Sequence, residues 1–257
     1  MESQSVIVIT GSTRGIGHGL AKEFLNNGHK VVFNGRSQEA VDKVLEEFKD
    51  YSSQICGVAG DVSMPDTHEK LFDEAVKHFG KVDIWINNAG IPQENKPFVE
   101  LKIEDIKRLS DINIYGLILG SQIAANLFLK QGYGKVFNME GFGSKGRIMK
   151  NLTLYGTSKR AVNYFTKSLA KELDGSSVKA CVLSPGMVRT EFLDGALEDK
   201  TTKEAKQFQK VYKVIAEDVD VVTKFLVKRI LKSTKNYDRI EFLTPGKMMI
   251  KGFKMMF

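Results

Sequence analysis

Ser5-Val6-Ile7-Val8-Ile9-Thr10-Gly11-Ser12-Thr13-Arg14-Gly15-Ile16-Gly17 decides how the rest of this chain is read. Its first half is a short, nearly uninterrupted apolar run, the pattern of a parallel strand covered on both faces. A glycine-rich turn follows, and then an amphipathic run through Leu20, Phe24 and Leu25 that reads as a helix. Strand, glycine turn and helix in direct succession give the glycines a meaning that spacing alone would not. Gly11, Gly15 and Gly17 let the backbone turn tightly and approach a pyrophosphate. The charge of such a group is met by free N–H groups at the helix start, with Ser12, Arg14 and Ile16 completing the turn. The spacing is TGxxxGxG, not the GxGxxG of the standard dinucleotide fingerprint.

Working outward, Lys30 to Asn34 reads as a second strand and is followed by Gly35-Arg36-Ser37. In a dinucleotide fold an acid at this point would bind the adenosine ribose and repel a 2′-phosphate. Here there is none. Asn34 is neutral, and Arg36 and Arg14 supply guanidiniums suited to bidentate phosphate contacts, with Ser12 or Ser37 as hydroxyl donors. NADP(H) is therefore expected over NAD(H). Ser37 caps a helix through Val41, Val44, Leu45 and Phe48. Gln54 to Ala59 is the third strand and ends at Gly60-Asp61-Val62, where Asp61 would meet the adenine amino group. Ser63-Met64-Pro65-Asp66 resembles a capping box. Val82 to Ile86, the fourth strand, runs into Asn87-Asn88-Ala89-Gly90, whose small residues would let a cofactor ribose lie on the backbone. Four such units imply right-handed crossovers. A TIM barrel fits the length, but a glycine turn on the very first strand favours an open, doubly wound α/β sheet.

A chain of 257 residues, 42% hydrophobic and 27% charged, reads as an ordinary globular protein, and one domain over 1–257 is expected. The strand pattern begins by Ser5, leaving no room for a signal peptide, and the most apolar helix, Leu117 to Leu129, carries Ser121, Gln122 and Asn126, so no membrane span is expected. Cys56 and Cys181 stand singly and read as buried thiols, which suggests a cytoplasmic location. His18, His29, His68 and His78 form no ligand spacing, so no metal site is expected. The net charge of +7 would suit nucleic acid, an anionic membrane or an anionic cofactor. Lys200, Lys203, Lys206, Lys210 and Lys213 fall on one helical stripe without interleaved aromatics; this favours a solvated face over a nucleic-acid surface.

Tyr155-Gly156-Thr157-Ser158-Lys159 carries the chemistry. On a helix, positions four apart stack, so the phenol and the ammonium lie side by side. A tyrosine titrates near ~10, and lowering that by about three units corresponds to roughly 4 kcal/mol, within reach of a cation held close in a partly dehydrated cleft. The phenol would then pass a proton to a carbonyl oxygen while hydride arrives at carbon.

TGSTRGIG, Asp61-Val62, NNAG, Asn113, YGTSK and Ser184-Pro185-Gly186 stand in the order and spacing of the short-chain dehydrogenase/reductase family, which the chain resembles over nearly its whole length. The resemblance implies a three-layer Rossmann-like sheet of seven parallel strands with helices on both faces. It also implies a nicotinamide cofactor, a small-molecule carbonyl or alcohol substrate, and a homodimer or homotetramer. By the same resemblance Tyr155 is the proton donor or acceptor, and Lys159 perturbs it and holds the nicotinamide ribose. Asn113 would anchor a proton-relay water through its backbone. Asn88, Ala89 and Gly90 line the cofactor, and in the segment Pro185-Gly186-Met187-Val188-Arg189-Thr190 the hydroxyl of Thr190 would reach the carboxamide.

One position departs from the family. Its catalytic serine belongs about thirteen residues before the tyrosine, but Glu140 and Gly141 occupy the two serine places, in Asn138-Met139-Glu140-Gly141-Phe142-Gly143-Ser144. A missing donor of this kind elsewhere costs about 2.7 to 4 kcal/mol. Either the loop folds back and presents Ser144, or Ser144 is a turn serine; a carboxylate at Glu140 would repel the developing charge. NMEGxGS, LTxYGTSK, SPGMVxTE and Phe242-Leu-Thr-Pro-Gly246 resemble the chlorophyll b reductase branch, which implies NADPH reduction of a formyl group on a large apolar tetrapyrrole. The region 187–215, with Phe192, Leu193, Phe208, Val211 and Tyr212, would cover the substrate, and the tail 245–257 would serve as a subunit contact or core packing or, less favoured, as a lid or a membrane-surface foot. An NADPH-dependent carbonyl reductase leads. A 3-oxoacyl thioester reductase and a non-catalytic NADP(H)-binding sensor or scaffold stay open as alternatives.

Overall fold

The computed structural model describes residues 4–193, 203–244 and 246–248. Seven strands, β1 (Val6–Ile9), β2 (Lys30–Gly35), β3 (Ile55–Ala59), β4 (Ile84–Asn87), β5 (Gly134–Met139), β6 (Val178–Ser184) and β7 (Arg239–Glu241), form one parallel sheet in the order β3-β2-β1-β4-β5-β6-β7. The helices are α1 (Gly15–Asn26), α2 (Gln38–Glu47), α3 (Pro65–Phe79), α4 (Ile103–Ser110), α5 (Leu117–Gln131), α6 (Thr153–Glu172), α7 (Lys203–Ile215) and α8 (Val219–Lys232).

Successive residues of β1 point to opposite faces, and the core divides accordingly. Ile7 and Ile9 join Leu20, Phe24, Val44, Leu226 and Ile230 from α1, α2 and α8. Val6 and Val8 join Leu71, Ala75, Ala124, Phe128 and Ala170 from α3, α5 and α6. With both faces covered, near-continuous apolar strands are what the sequence must supply. Strand order reverses beside β1, whose Ile7 pairs with Val31 on one side and Ile84 on the other. At such a switch point the connections leave in opposite directions and open a crevice at the carboxyl ends of the strands.

Local differences from the sequence reading have local causes. β3 starts at Ile55 because Lys49–Gln54 forms a 3₁₀ turn. β4 starts at Ile84, and Asp83 before it accepts a hydrogen bond from Val6 N at 2.7 Å. The expected capping box is not made: Met64 is the N-cap of α3, and the Ser63 hydroxyl turns to Asp61 Oδ1 at 2.8 Å. The continuous helical stretch Ile103–Gln131, 29 residues, is long and apolar enough to cross a membrane by length and composition, but half of its most apolar window is buried inside the fold, as befits a core helix. Lys206, Lys210 and Lys213 are all exposed, in keeping with a solvated face. Lys200, residues 194–202 of the substrate-covering region, and 245 and 249–257 of the tail lie outside the described residues, as do the side chains of Lys203 and Phe208. Among the described residues there is no metal-binding cluster.

Candidate active site

The carboxyl ends of β1 and β4 are joined by hydrogen bonds that shape the glycine turn. Thr10 Oγ1 accepts from Asn88 N and Ala89 N at 3.0 and 3.1 Å, and Asn88 Nδ2 donates to Thr10 O and Gly11 O, both at 3.0 Å. Gly11 has φ 62°, and a Cβ there would lie 2.8 Å from Ala89 Cα. Helix α1 starts with no side-chain cap and no acid in its first turn, so its leading N–H groups face the crevice without a competing anion. This is a cradle that any larger residue would fill, and it suits a pyrophosphate. Ile16 is half-buried and packs on the core below.

Several polar residues expected to bind the cofactor are already engaged. Ser12 is fully buried; its hydroxyl donates to Ile9 O at 2.8 Å and accepts from Asn34 N at 2.9 Å. It ties β1 to β2, and the expectation that it donates to a phosphate is corrected. The Ser37 hydroxyl caps α2 through Ala40 N at 3.3 Å. Buried Asn34 holds Gly11 N, Val58 O and Gly60 O together, leaving the end of β2 without negative charge. Arg36 is exposed and makes no hydrogen bond or ion pair among the described residues, whereas Arg14 lies 3.4 Å from Glu191. Asp61 Oδ1 accepts from the N–H and hydroxyl of Ser63, and Val62 packs beside Gly116.

Across the crevice, Tyr155, Lys159 and Asn163 form one stripe of α6. Lys159 Nζ lies 5.7 Å from the centre of the Tyr155 ring and donates to Met139 O at 3.2 Å. Asn113 sits in a π turn, Asp111–Gly116, a widening of the helix frequent at functional sites. Its side chain is consumed by Ile91, accepting from N at 2.8 Å and donating to O at 2.9 Å, with Ser158 Oγ at 3.4 Å. Gly90 completes the group: a Cβ there would be 3.4 Å from Asn113 Oδ1 and 3.6 Å from Lys159 Nζ. The chain after β6 returns over the site. Gly186 packs on Leu243 at φ 80°, Val188 is buried, Thr190 comes against Gly15, and the Phe192 ring lies 5.8 Å from that of Tyr155. Pro185 leads into this segment.

The electrostatics differ from the sequence reading. Burial raises the Tyr155 phenol above its ordinary value, and burial also pushes Lys159 down to about 8, with Glu140 opposing. The lysine was expected to acidify the phenol. Its ammonium instead spends its one hydrogen bond on Met139 O, and loss of water dominates at both groups. At the phenol the direction is toward the protonated form.

The loop after β5 does fold back, because Gly143 at φ 93° lies against the backbone of Gly156. Ser144 is buried there, with its N–H to Gly141 O and its carbonyl to Arg160, but its hydroxyl makes no hydrogen bond to Tyr155. Gly141 is closest to the chemistry: a Cβ on it would overlap the Tyr155 hydroxyl. Glu140 does not face the phenol; it pairs with Asn163 and Arg239. Sequence reasoning missed Gln93, whose Oε1 accepts from Leu154 N at 2.8 Å and Tyr155 N at 3.1 Å and so caps the helix that presents the tyrosine. It also missed the buried chain Trp85, Asn87, Ser121, Asn138 and Thr166 beneath the site. Asn87 and Asn138 at the ends of apolar strands were the available signal for that chain.

Comparison with known proteins places this geometry. A family model described as short chain dehydrogenase matches residues 5–201. The chloroplastic chlorophyll(ide) b reductase NOL of Arabidopsis thaliana is 40% identical over 257 residues, covering 96% of this chain and 72% of that protein. A second chloroplastic protein of Arabidopsis thaliana, named "probable chlorophyll(ide) b reductase", is 34% identical over 95% of this chain, which spans 51% of it. The chain therefore covers about half the length of one such relative. Among solved structures, the 3-ketoacyl-(acyl-carrier-protein) reductase from Brucella melitensis complexed with NADH superposes with a TM-score of 0.78 at 26% identity, over 93% of this chain and 96% of that one. The cytoplasmic expectation is corrected by the chloroplastic relatives; Cys56 and Cys181 are free and buried, as read, but buried thiols do not name a compartment. With a glycine turn at the switch point, a Tyr-Lys pair opposite it and a matching model over most of its length, the chain belongs to the short-chain dehydrogenase/reductase family of oxidoreductases.

Proposed function

We propose that the protein is an NADPH-dependent carbonyl reductase acting on a formyl or keto group of an apolar substrate, of the chlorophyll b reductase type. The observation that carries this reading is the placement of the Tyr155 phenol, its ring centre 5.7 Å from the buried ammonium of Lys159 and across the crevice from the glycine turn. A protonated phenol is the form that reduction consumes, because the carbonyl oxygen must gain a proton as its carbon gains hydride. When bound, the cofactor supplies that hydride; the α1 start, Gly11, Gly15 and Gly17 would hold its pyrophosphate, and Asn88 to Gly90 and Lys159 its nicotinamide end. Tyr155 releases its proton to the substrate oxygen and becomes phenolate, which the Lys159 charge steadies until a proton returns. Asn113, with its side chain committed to Ile91, has only its backbone to offer a relay water. Phe192, its ring 5.8 Å from that of Tyr155, gives the substrate side of the crevice an apolar surface. The relatives named as chlorophyll(ide) b reductases support the formyl class, and assembly as a homodimer or homotetramer belongs to the same reading.

The test is loss of NADPH absorbance with purified protein and a panel containing formyl tetrapyrroles, simple aldehydes, ketones and a 3-oxoacyl thioester. Turnover is expected with the formyl compounds. Turnover with the thioester alone would move the assignment to the second reading, which the likeness to the Brucella enzyme supports. Tight NADPH binding without turnover on any member would leave a sensor.

Cofactor choice has its own test. Arg36 is the exposed cation at the end of β2, where no acid stands. A charge-assisted phosphate contact contributes about 1.5–3 kcal/mol, so Arg36→Ala should weaken NADPH binding by about 10- to 100-fold and leave NADH within a few-fold. Fluorescence titration measures both, and an equal loss for the two cofactors would remove Arg36 from the 2′-phosphate.

A further inference from the structure

Glu140 is the buried acid that the mechanism above leaves without a task. Its side chain has 0% exposure, and its N–H donates to Leu183 O at 2.8 Å. Oε1 accepts from Asn163 Nδ2 at 2.7 Å, and Oε2 lies 2.6 Å from Arg239 Nη2, at angles outside hydrogen-bond geometry. Arg239 is flanked by Glu241 at 3.8 Å, and Glu241 is held by Lys145 at 2.7 Å. The carboxylate is therefore fixed from α6, β7 and the loop after β5 together. Asn163 is one turn beyond Lys159 on the same stripe, and the residue that receives the Lys159 hydrogen bond, Met139, immediately precedes Glu140.

The surroundings of Lys159 contain little else that is charged. Tyr155 is on its own helix, Asn113 from the π turn and Gly90 from the β4 end are neutral, and Arg239 lies behind Glu140 with Glu241 beside it. We propose that Glu140 is a positioning residue for proton transfer: clamped by Asn163 and Arg239, its buried carboxylate keeps the Lys159 ammonium charged next to Tyr155. The proposal rests on the assignment of Lys159 to the catalytic pair. Its direction follows from charge: burial lowers Lys159 to about 8, and Glu140 is the neighbour that works against that fall. A neutral lysine could not steady the phenolate, so removing Glu140 brings the failure of the pair to lower pH.

A structural role alone, balancing Arg239 and tying down β7, must be told apart from this. Glu140→Gln leaves the largely covered Arg239 guanidinium with only Glu241, at 3.8 Å, and invites misfolding. The paired variant Glu140→Gln with Arg239→Gln removes both charges, keeps the shape of the acid and retains the inner stem of the arginine with a polar tip. Full-length protein carrying ε-¹³C-lysine is titrated by NMR, with the Lys159 resonance identified by its loss in Lys159→Met, and kcat is followed against pH. In the paired variant the Lys159 midpoint and the upper limb of the kcat profile should both fall by roughly half a pH unit or more, while Glu140→Asp restores most of the wild-type behaviour. A paired variant that titrates like the wild type would overturn the proposal and leave Glu140 as a counter-ion for Arg239. If the wild type reduces no carbonyl, the redox reading fails, yet the titration still decides this one.

Discussion

Gly141→Ser is expected to lower kcat by about 10²-fold, although serine is the residue that the family resemblance leads one to expect there. The reason is volume. A Cβ at 141 would overlap the Tyr155 hydroxyl and lie 3.2 Å from its Cζ and 3.3 Å from Lys159 Cγ. Something must move, and the loop is the stiffer side. Glu140 N is bonded to Leu183 O on β6, Ser144 N to Gly141 O, and Gly143 rests on the Gly156 backbone, where a Cβ would already be 2.6 Å from Gly156 Cα. The phenol is the part free to swing, and swinging takes the proton away from the substrate oxygen. A misplacement of about 1 Å is enough for a loss of this size. Steady-state NADPH consumption measures it, and NADPH affinity should be unchanged because the glycine turn is not touched. Gly141→Ala should fall nearly as far, since the carbon and not the hydroxyl causes the conflict. Activity equal to or above wild type in the serine variant would mean that the loop yields and that the site accepts the donor it lacks.

What the sequence made legible was governed by short-range periodicity. The apolar run of β1, the glycine turn and the four-residue spacing of Tyr155 and Lys159 each depend on neighbours within a few positions, and the structure places them as read. Ser12 was misjudged because its hydroxyl is held from two sides, donating to Ile9 O and accepting from Asn34 N, and the second partner is set by the pairing of β1 with β2, 22 residues away. Gln93 caps α6 from 61 and 62 residues away, so no local pattern announces it. Arg239 meets Glu140 only because β6 places β7 at that edge of the sheet. The electrostatic setting of Tyr155 was hidden from the sequence for a different reason. A lysine four positions on is visible in the sequence, but the desolvation that dominates both groups is a sum over everything packed around them.

Gly17→Ala sets two local rules against each other and should cost most of the cofactor affinity. Gly17 lies in the first turn of α1 without positive φ, so by helix propensity alone alanine would be favoured there by about 1 kcal/mol. The contacts oppose it. A Cβ would overlap Gly11 O and lie 2.5 Å from Asn88 Nδ2 and 2.9 Å from Ser12 Cα. Two of these are backbone atoms of the turn, and the third is the amide that ties Gly11 to β4, so no flexible side chain can relieve the crowding. Overpacking of this kind costs roughly 1–3 kcal/mol, more than the propensity returns. Helix α1 must then back away from the turn, taking its leading N–H groups out of reach of a pyrophosphate. The expected result is a lower melting temperature together with NADPH binding weakened by about 10²-fold, the loss of charge-assisted contacts from two or so amides. Gly28→Ala is the control: φ there is 78°, and nothing lies within 4 Å of its Cβ, so it pays backbone strain and leaves NADPH affinity alone. Should Gly17→Ala bind NADPH like the wild type while melting lower, the turn would be a packing device, and the diphosphate would have to be held elsewhere.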